Sequence, residues 1–161
     1  MRIISTLRKG AAAAVVSVLL SGCTTPAAPS RPMAAAEAAV SEIPGATFQA
    51  DRARNGTTAY VNATLSVTDA FAGDPAALLD YSLGQLASQD EVDRGQFVRL
   101  NFDGPGQTPE KTKTLLVTLR INSEQYGGGS SLELANQDLD ERYGTWPASP
   151  PSLPPSLRSA R

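Results

Sequence analysis

The sequence predicts a small two-layer α+β domain: a mainly antiparallel sheet of three to four strands with two helices on one face, in the order (β)βαββα. Three observations carry that prediction. Two segments alternate apolar and polar residues with period two, Tyr60–Val67 and Val98–Phe102, as half-buried strands do. A third, Pro75 to Gln89, repeats apolar residues every three or four positions behind an Asp-Pro start, as an amphipathic helix does. Clean alternation in the strands implies a sheet covered on one face and open on the other.

The elements follow in order. Ala46 to Ala50 reads as a short edge strand, closed by a turn at Arg54-Asn55-Gly56. In Tyr60–Val67, the residues Val61, Ala63, Leu65 and Val67 alternate with Tyr60, Asn62, Thr64 and Ser66. Asp74 is the N-cap and Pro75 the first residue of a helix whose stripe is Ala76, Leu79, Leu83, Leu86 and Ala87. Val98, Leu100 and Phe102 alternate with Arg99 and Asn101 in the next strand, which the turn-forming run Asp103-Gly104-Pro105-Gly106 ends. A further strand is expected where Leu115, Val117, Leu119 and Ile121 alternate with Thr114, Leu116, Thr118 and Arg120. After the hinge Gly127-Gly128-Gly129, Ser130-Ser131-Leu132-Glu133 has the form of a capping box. It opens a second helix with Leu132, Ala135, Leu139 and Tyr143 on one face and Gly144 at its end.

The flanks differ from this domain, which spans 45–146. Residues 147–161 are so dense in proline that an exposed, extended tail is expected. Residues 24–44 carry Pro26, Pro29 and Pro32 and read as a flexible tether; Met33–Val40 has helix propensity but is too short to hold a helix alone. Before the tether, Arg2, Arg8 and Lys9 precede an apolar run, Gly10 to Leu20, that is too short to span a hydrocarbon layer of roughly 30 Å. No acidic residue occurs before Glu37, and Leu20-Ser21-Gly22 leads into Cys23, the one cysteine of the chain. This is the layout of an export signal, residues 1–22.

Leu20-Ser21-Gly22-Cys23 resembles the lipobox of bacterial lipoproteins. The resemblance covers residues 1–23 and implies that the cysteine sulfur receives a diacylglycerol, that the signal is removed, and that Cys23 becomes a lipidated N-terminus. It further implies an extracytoplasmic, membrane-anchored protein, on the outer face of the cytoplasmic membrane in a monoderm. In a diderm, Thr24 in place of an aspartate would allow passage to the outer membrane. Two or three acyl chains, at about 0.8 kcal/mol per buried methylene, are enough for stable attachment.

Composition narrows the function. Removing the three basic residues of the export signal from the 14 in the chain leaves 11 against 16 acidic ones, a net charge of −5. That balance disfavours nucleic acid as a partner. Histidine is absent, which removes the commonest general base and transition-metal ligand. With the sole cysteine lipidated no internal disulfide is available, and no cofactor or metal motif is present.

The preferred reading is a non-catalytic binding or assembly module of the cell envelope, acting through the polar face of its sheet on a protein or glycan. Tyr60, Asn62, Thr64, Arg99 and Arg120 are the candidate contact residues. Two alternatives stand beside it. One is a carboxylate-based hydrolase or metal-dependent enzyme using Asp69, Asp74, Asp80 and Asp103, which requires those groups to converge. The other is a small lipid or ligand carrier, which requires an apolar cavity between helix and sheet.

Overall fold

A computed structural model describes residues 30–125 and 127–158. The expected export signal, the lipobox-like Leu20–Cys23 stretch, Thr24 and the first part of the expected tether lie outside the described residues. The fold is α+β, with elements α1 (Met33–Ser41), β1 (Ala46–Asn55), β2 (Thr58–Val67), α2 (Pro75–Ala87), β3 (Phe97–Asp103), α3 (Pro109–Thr118), β4 (Ser123–Gln125), β5 (Leu132–Ala135) and α4 (Asn136–Tyr143). A 3-10 turn, Pro155–Leu157, follows. The five strands form one sheet in the order β1-β2-β3-β5-β4. Neighbours are antiparallel except β2 and β3, which run parallel with Val61 opposite Val98.

Register places one residue parity of every long strand on the same face. Ala46 and Phe48, Val61 to Val67, Val98 to Phe102, and Leu132 with Leu134 are all buried there. Met33, Ala36 and Val40 of α1, Leu79 and Leu83 of α2, Leu116 of α3 and Leu139 of α4 join them in a single core. Burial of such side chains stabilises by about 1.5–3 kcal/mol each. The helices therefore cover one face, and the opposite face carries Gln49, Asn62, Thr64, Arg99, Asn101 and Glu133, none of them buried.

Helix α2 begins as its residues dictate: the Asp74 side chain accepts from Ala76 N at 3.0 Å, and Pro75 occupies the first turn. Its burial is wider than an amphipathic stripe, because every residue from Leu78 to Ala87 except Asp80 is buried. The cause is the C-terminal segment. Ala148 N donates to Ala87 O at 2.7 Å, Gln85 Nε2 donates to Pro151 O at 3.3 Å, and Leu157 is 4% exposed. Residues 147–158 are thus a packed strap along α2. The expectation of an exposed tail is corrected over that stretch; residues 159–161 lie outside the described residues.

The flexible tether is also corrected from residue 30 onward. α1 packs on β1 and α2, and Val40 and Ile43 enter the core. What a short helix lacks in isolation, tertiary burial of Met33, Ala36 and Val40 supplies. Glu37 adds a second device: its carboxylate accepts from Ala50 N at 3.0 Å, capping part of the free edge of β1.

The expected strand at 114–121 is a helix. Thr108 caps it, its hydroxyl accepting from Lys111 N at 3.3 Å, and Pro109 and Glu110 fill the first turn. Thr112, Leu116 and Leu119 face inward at spacings of four and three, whereas Val117, inward in the strand reading, is 65% exposed. The helix ends in a Schellman motif: Ile121 N donates to Leu116 O and Arg120 N to Val117 O, both at 3.0 Å. Arg120 takes the left-handed position with φ 61°. Arg120→Gly should therefore raise the unfolding free energy by about 1 kcal/mol in urea titrations, since glycine adopts that conformation without steric cost.

The expected helix over 132–143 divides into β5 and α4. Leu132 and Leu134 face the core while Glu133 and Ala135 face away, a period of two that hydrogen bonding to β3 and β4 enforces. Gly127–Gly129 lies in the turn between β4 and β5. At Gly95 the backbone is left-handed, φ 66°, and an added Cβ would sit 2.3 Å from Ala59 O. Only glycine fits this close approach of the loop before β3 to β2.

Candidate interaction face of the sheet

The uncovered face is organised around three side chains. In the parallel pair, Tyr60 lies one register step before Val61–Val98 and so sits beside Phe97. Their rings stack with centroids 5.0 Å apart and planes 11° from parallel. Arg99 lies over the Tyr60 ring, its guanidinium carbon 4.4 Å from the centroid, and donates from Nη1 to the Tyr60 hydroxyl at 3.2 Å. Its Nη2 is 3.6 Å from Glu133 Oε1 on β5. A stacked, ion-paired guanidinium of this kind is held in one orientation, which lowers the entropic cost of using it for recognition.

This stack changes the role of Tyr60. It lies on the uncovered face, but Phe97 and Arg99 leave it only 7% exposed. The surface presented outward is therefore the exposed part of Phe97, the 17% of the Arg99 side chain that stays accessible, and the side chains of Asn62, Thr64 and Asn101, with Ser130 Oγ donating to Asn101 Oδ1 at 3.5 Å. Phe97 was not singled out by its sequence, because it precedes the alternating run; the signal available was its position two residues before Arg99 on the same face.

Of the candidate contact residues, Tyr60, Asn62, Thr64 and Arg99 are brought together, with Asn62 directly opposite Arg99. Arg120 is not among them. Because 109–118 is a helix, Arg120 stands exposed at its C-terminal end, off the sheet. Thr118 likewise leaves the face, its hydroxyl donating to Leu115 O at 2.6 Å.

Toward β4, a cleft of about 210 Å³ opens beside Phe97, bordered by Ser123, Glu124, Glu133 and Ala135. Ser123 Oγ and Glu133 Oε1 are buried there without a hydrogen bond among the described residues. Glu124 and Glu133 are direct cross-strand partners. Like charges in that relation oppose the pairing, and Arg99 offsets part of the repulsion.

The carboxylates considered for catalysis are dispersed in their roles. Asp74 caps α2, and Asp69 and Asp103 are exposed at the turn after β2 and at the end of β3. Asp80 receives Arg142 through two hydrogen bonds of 2.7 Å and the Tyr143 hydroxyl at 2.8 Å. Among the described residues no group of three potential metal-binding side chains occurs. Clefts lie at the turn before β1 against the 3-10 turn, beside Asp80, near Arg31, and beside Lys111. None of these is lined by Asp69 or Asp103, nor by both the core face of the sheet and α2.

The Asp80 cluster fixes α4 against α2. Burial, with the Asp80 charge beside it, raises the Tyr143 hydroxyl far above its ordinary value near 10. An unfolded chain releases that proton first, so Tyr143 contributes its full stabilisation below pH 10 and loses it progressively as pH rises further. Urea titrations from pH 8 to 11 should show a fall in stability above pH 10, shallower in Tyr143→Phe than in the parent chain. Equal slopes would show that Tyr143 is not the group responsible.

No family model, curated protein or solved structure matches the chain significantly. Among the described residues no helix is long and apolar enough to cross a membrane.

Proposed function

We propose that the protein is a lipid-anchored lipoprotein of the cell envelope, held on the membrane through Cys23, and that it is a non-catalytic binding or assembly module. Its contact surface is the uncovered sheet face centred on Arg99, Phe97, Asn62 and Thr64. The observation that carries this reading is the Tyr60–Phe97–Arg99 stack: an oriented cation and a half-buried aromatic ring on a face over which no described helix lies. Interfaces favour arginine and aromatic side chains held in place before binding. The absence of histidine and the separate structural duties of Asp74 and Asp80 favour recognition over catalysis. The partner is an envelope protein or glycan.

The test has two arms in the native host. Metabolic acyl labelling should mark the parent chain, and Cys23→Ala should lose both the label and membrane retention. A photo-crosslinking residue at Thr64 should capture one defined envelope component, and the same residue at Lys113 on the helix layer should not. Arg99→Ala should reduce the Thr64 adduct at least tenfold while circular dichroism remains that of the parent. Equal capture from both faces, or none from Thr64, would remove the assignment of this face.

A further inference from the structure

The short connection between anchor and domain selects which end of the domain meets the bilayer. Cys23 and Ser30 are seven residues apart in sequence, and the chain is fastened to the domain as soon as Ser30 is reached. Ser30 Oγ and Arg31 N both donate to Asp90 Oδ1 at 2.9 Å, and Asp90 N donates to Arg31 O at 3.0 Å. The Arg31 guanidinium donates to Gln85 O at 3.2 Å, to Ala35 O at 3.4 Å, and to the side chains of Ser88 and Gln85. Met33 N completes the attachment by donating to Glu91 Oε2 at 2.9 Å.

That attachment lies at one pole of the fold. Strands β2 and β3 are parallel, and α2 connects the end of the first to the start of the second, so α2 runs against them and finishes where they begin. The same pole holds the hairpin turn between Asn55 and Thr58, Gly95 bridged to Tyr60, and Ala148 bonded to Ala87. The opposite pole holds the turns after Val67 and Asp103 and the 3-10 turn. Seven extended residues reach at most about 25 Å, whereas a ten-residue strand such as β2 is roughly 33 Å long. The leash is thus shorter than the domain it holds.

We infer that the pole formed by the 55–58 turn, the Ser88–Gly95 loop and residues 146–150 faces the lipid headgroups, with the opposite pole directed away. This inference rests on acylation of Cys23. The chemistry of the pole agrees with apposition rather than insertion. Arg52 pairs with Asp93 at 3.2 Å and Arg94 pairs with Asp140, while Asp90 and Glu91 add negative charge. Arg54 is exposed beside the turn as well, but among the described residues of this pole one such arginine amid these carboxylates makes no basic patch to seek anionic lipid, so the acyl chains do the holding and the leash does the orienting. One consequence concerns the interaction face. Tyr60 and Phe97 lie at the starts of β2 and β3, so the Arg99 stack sits in the membrane-proximal half of the sheet and meets its partner close to the bilayer.

The test uses the purified full-length lipidated protein in phosphatidylcholine vesicles bearing an acceptor dye on the headgroup. With Cys23 acylated, an introduced cysteine is the sole free thiol for a donor dye. Energy transfer from Asn55→Cys should exceed that from Asp69→Cys at least twofold, and should not change between low and high salt. Inserting twenty Gly/Ser residues after Pro26 should bring the two signals together while vesicle binding persists. Equal or reversed transfer in an acylated, vesicle-bound protein would overturn the orientation alone. A difference that survives the insertion would overturn the leash as its cause. A chain that carries no acyl group would overturn both the orientation and the lipoprotein reading.

Discussion

Arg31→Ala is expected to lower the unfolding free energy by about 3 kcal/mol, with a fall in Tm on the order of 10 °C. The reason lies in what the guanidinium holds. It donates to Gln85 O and to the Gln85 and Ser88 side chains at the end of α2, and to Ala35 O in α1, in a part-buried site, and the same residue's backbone is paired with Asp90. Hydrogen bonds to a charged donor contribute about 1.5–3 kcal/mol, and the four are not additive because they share one side chain. Removing them leaves Gln85 and Ser88, both buried, with fewer partners, and loosens the start of α1. Arg31→Lys should recover little, since an ammonium cannot present the planar fork that reaches Gln85 and Ala35 together. Were residues 30–33 a solvated spacer, either substitution would cost less than about 0.5 kcal/mol. Urea unfolding of the parent, Arg31→Ala and Arg31→Lys chains separates these outcomes.

Truncation after Trp146 is expected to cost still more, about 4 kcal/mol. Burial of the Leu157 side chain supplies about 1.5–3 kcal/mol of this. The bonds from Ala148 N to Ala87 O and from Gln85 Nε2 to Pro151 O contribute about 1 kcal/mol each. Fastening the strap opposes this gain, but proline limits that cost because its φ is restricted in the unfolded chain as well. Pro151 also covers Gly84, where its Cγ would lie 3.0 Å from an added Cβ. Leu157→Ala in the full chain should account for over half of the loss. A truncated chain as stable as the parent would show that α2 does not depend on its outer cover.

Both predictions concern segments whose composition reads as unstructured, and the reason is the same in each. Proline forbids the regular hydrogen bonding of a strand or helix interior, so Pro32, Pro150, Pro151 and Pro154 signal irregular backbone. Irregular backbone is compatible with close packing when side chains and isolated hydrogen bonds fix it. The sequence clue was Gly84 and the small residues of α2, which leave room for a strap; one amphipathic stripe did not require a second cover.

The proposed interaction face divides in a similar way. Asn62, Thr64 and Arg99 were legible because a strand's period of two assigns them to a single face, and the parallel register sets Asn62 opposite Arg99. Arg120 was misassigned because Leu115 to Ile121 fits period two as well as it fits a helix. The deciding signal stood upstream, in Thr108-Pro109-Glu110, where a cap and a first-turn proline commit the segment to a helix. Period two with Arg99 sets Phe97 on that face, but its stacking could not be read from sequence, since its partner Tyr60 lies far from it along the chain.

Local chemistry by itself determined β2, the start of α2, β3 and the α+β class, each from periodicity and capping within about ten residues. It also placed Cys23 in a lipobox-like setting, a pattern that needs no fold to be read. Tertiary structure decided whether 109–118 and 132–135 became helix or strand, that the flanks pack, and that Arg99 lies over Tyr60. Those outcomes depend on contacts between distant parts of the chain, such as Arg31 with Gln85 and Leu157 with the end of β2's following turn at Gly73. Segments with two acceptable local conformations take the one that buries more apolar surface and satisfies more backbone groups, and that comparison exists only once the neighbouring elements are in place.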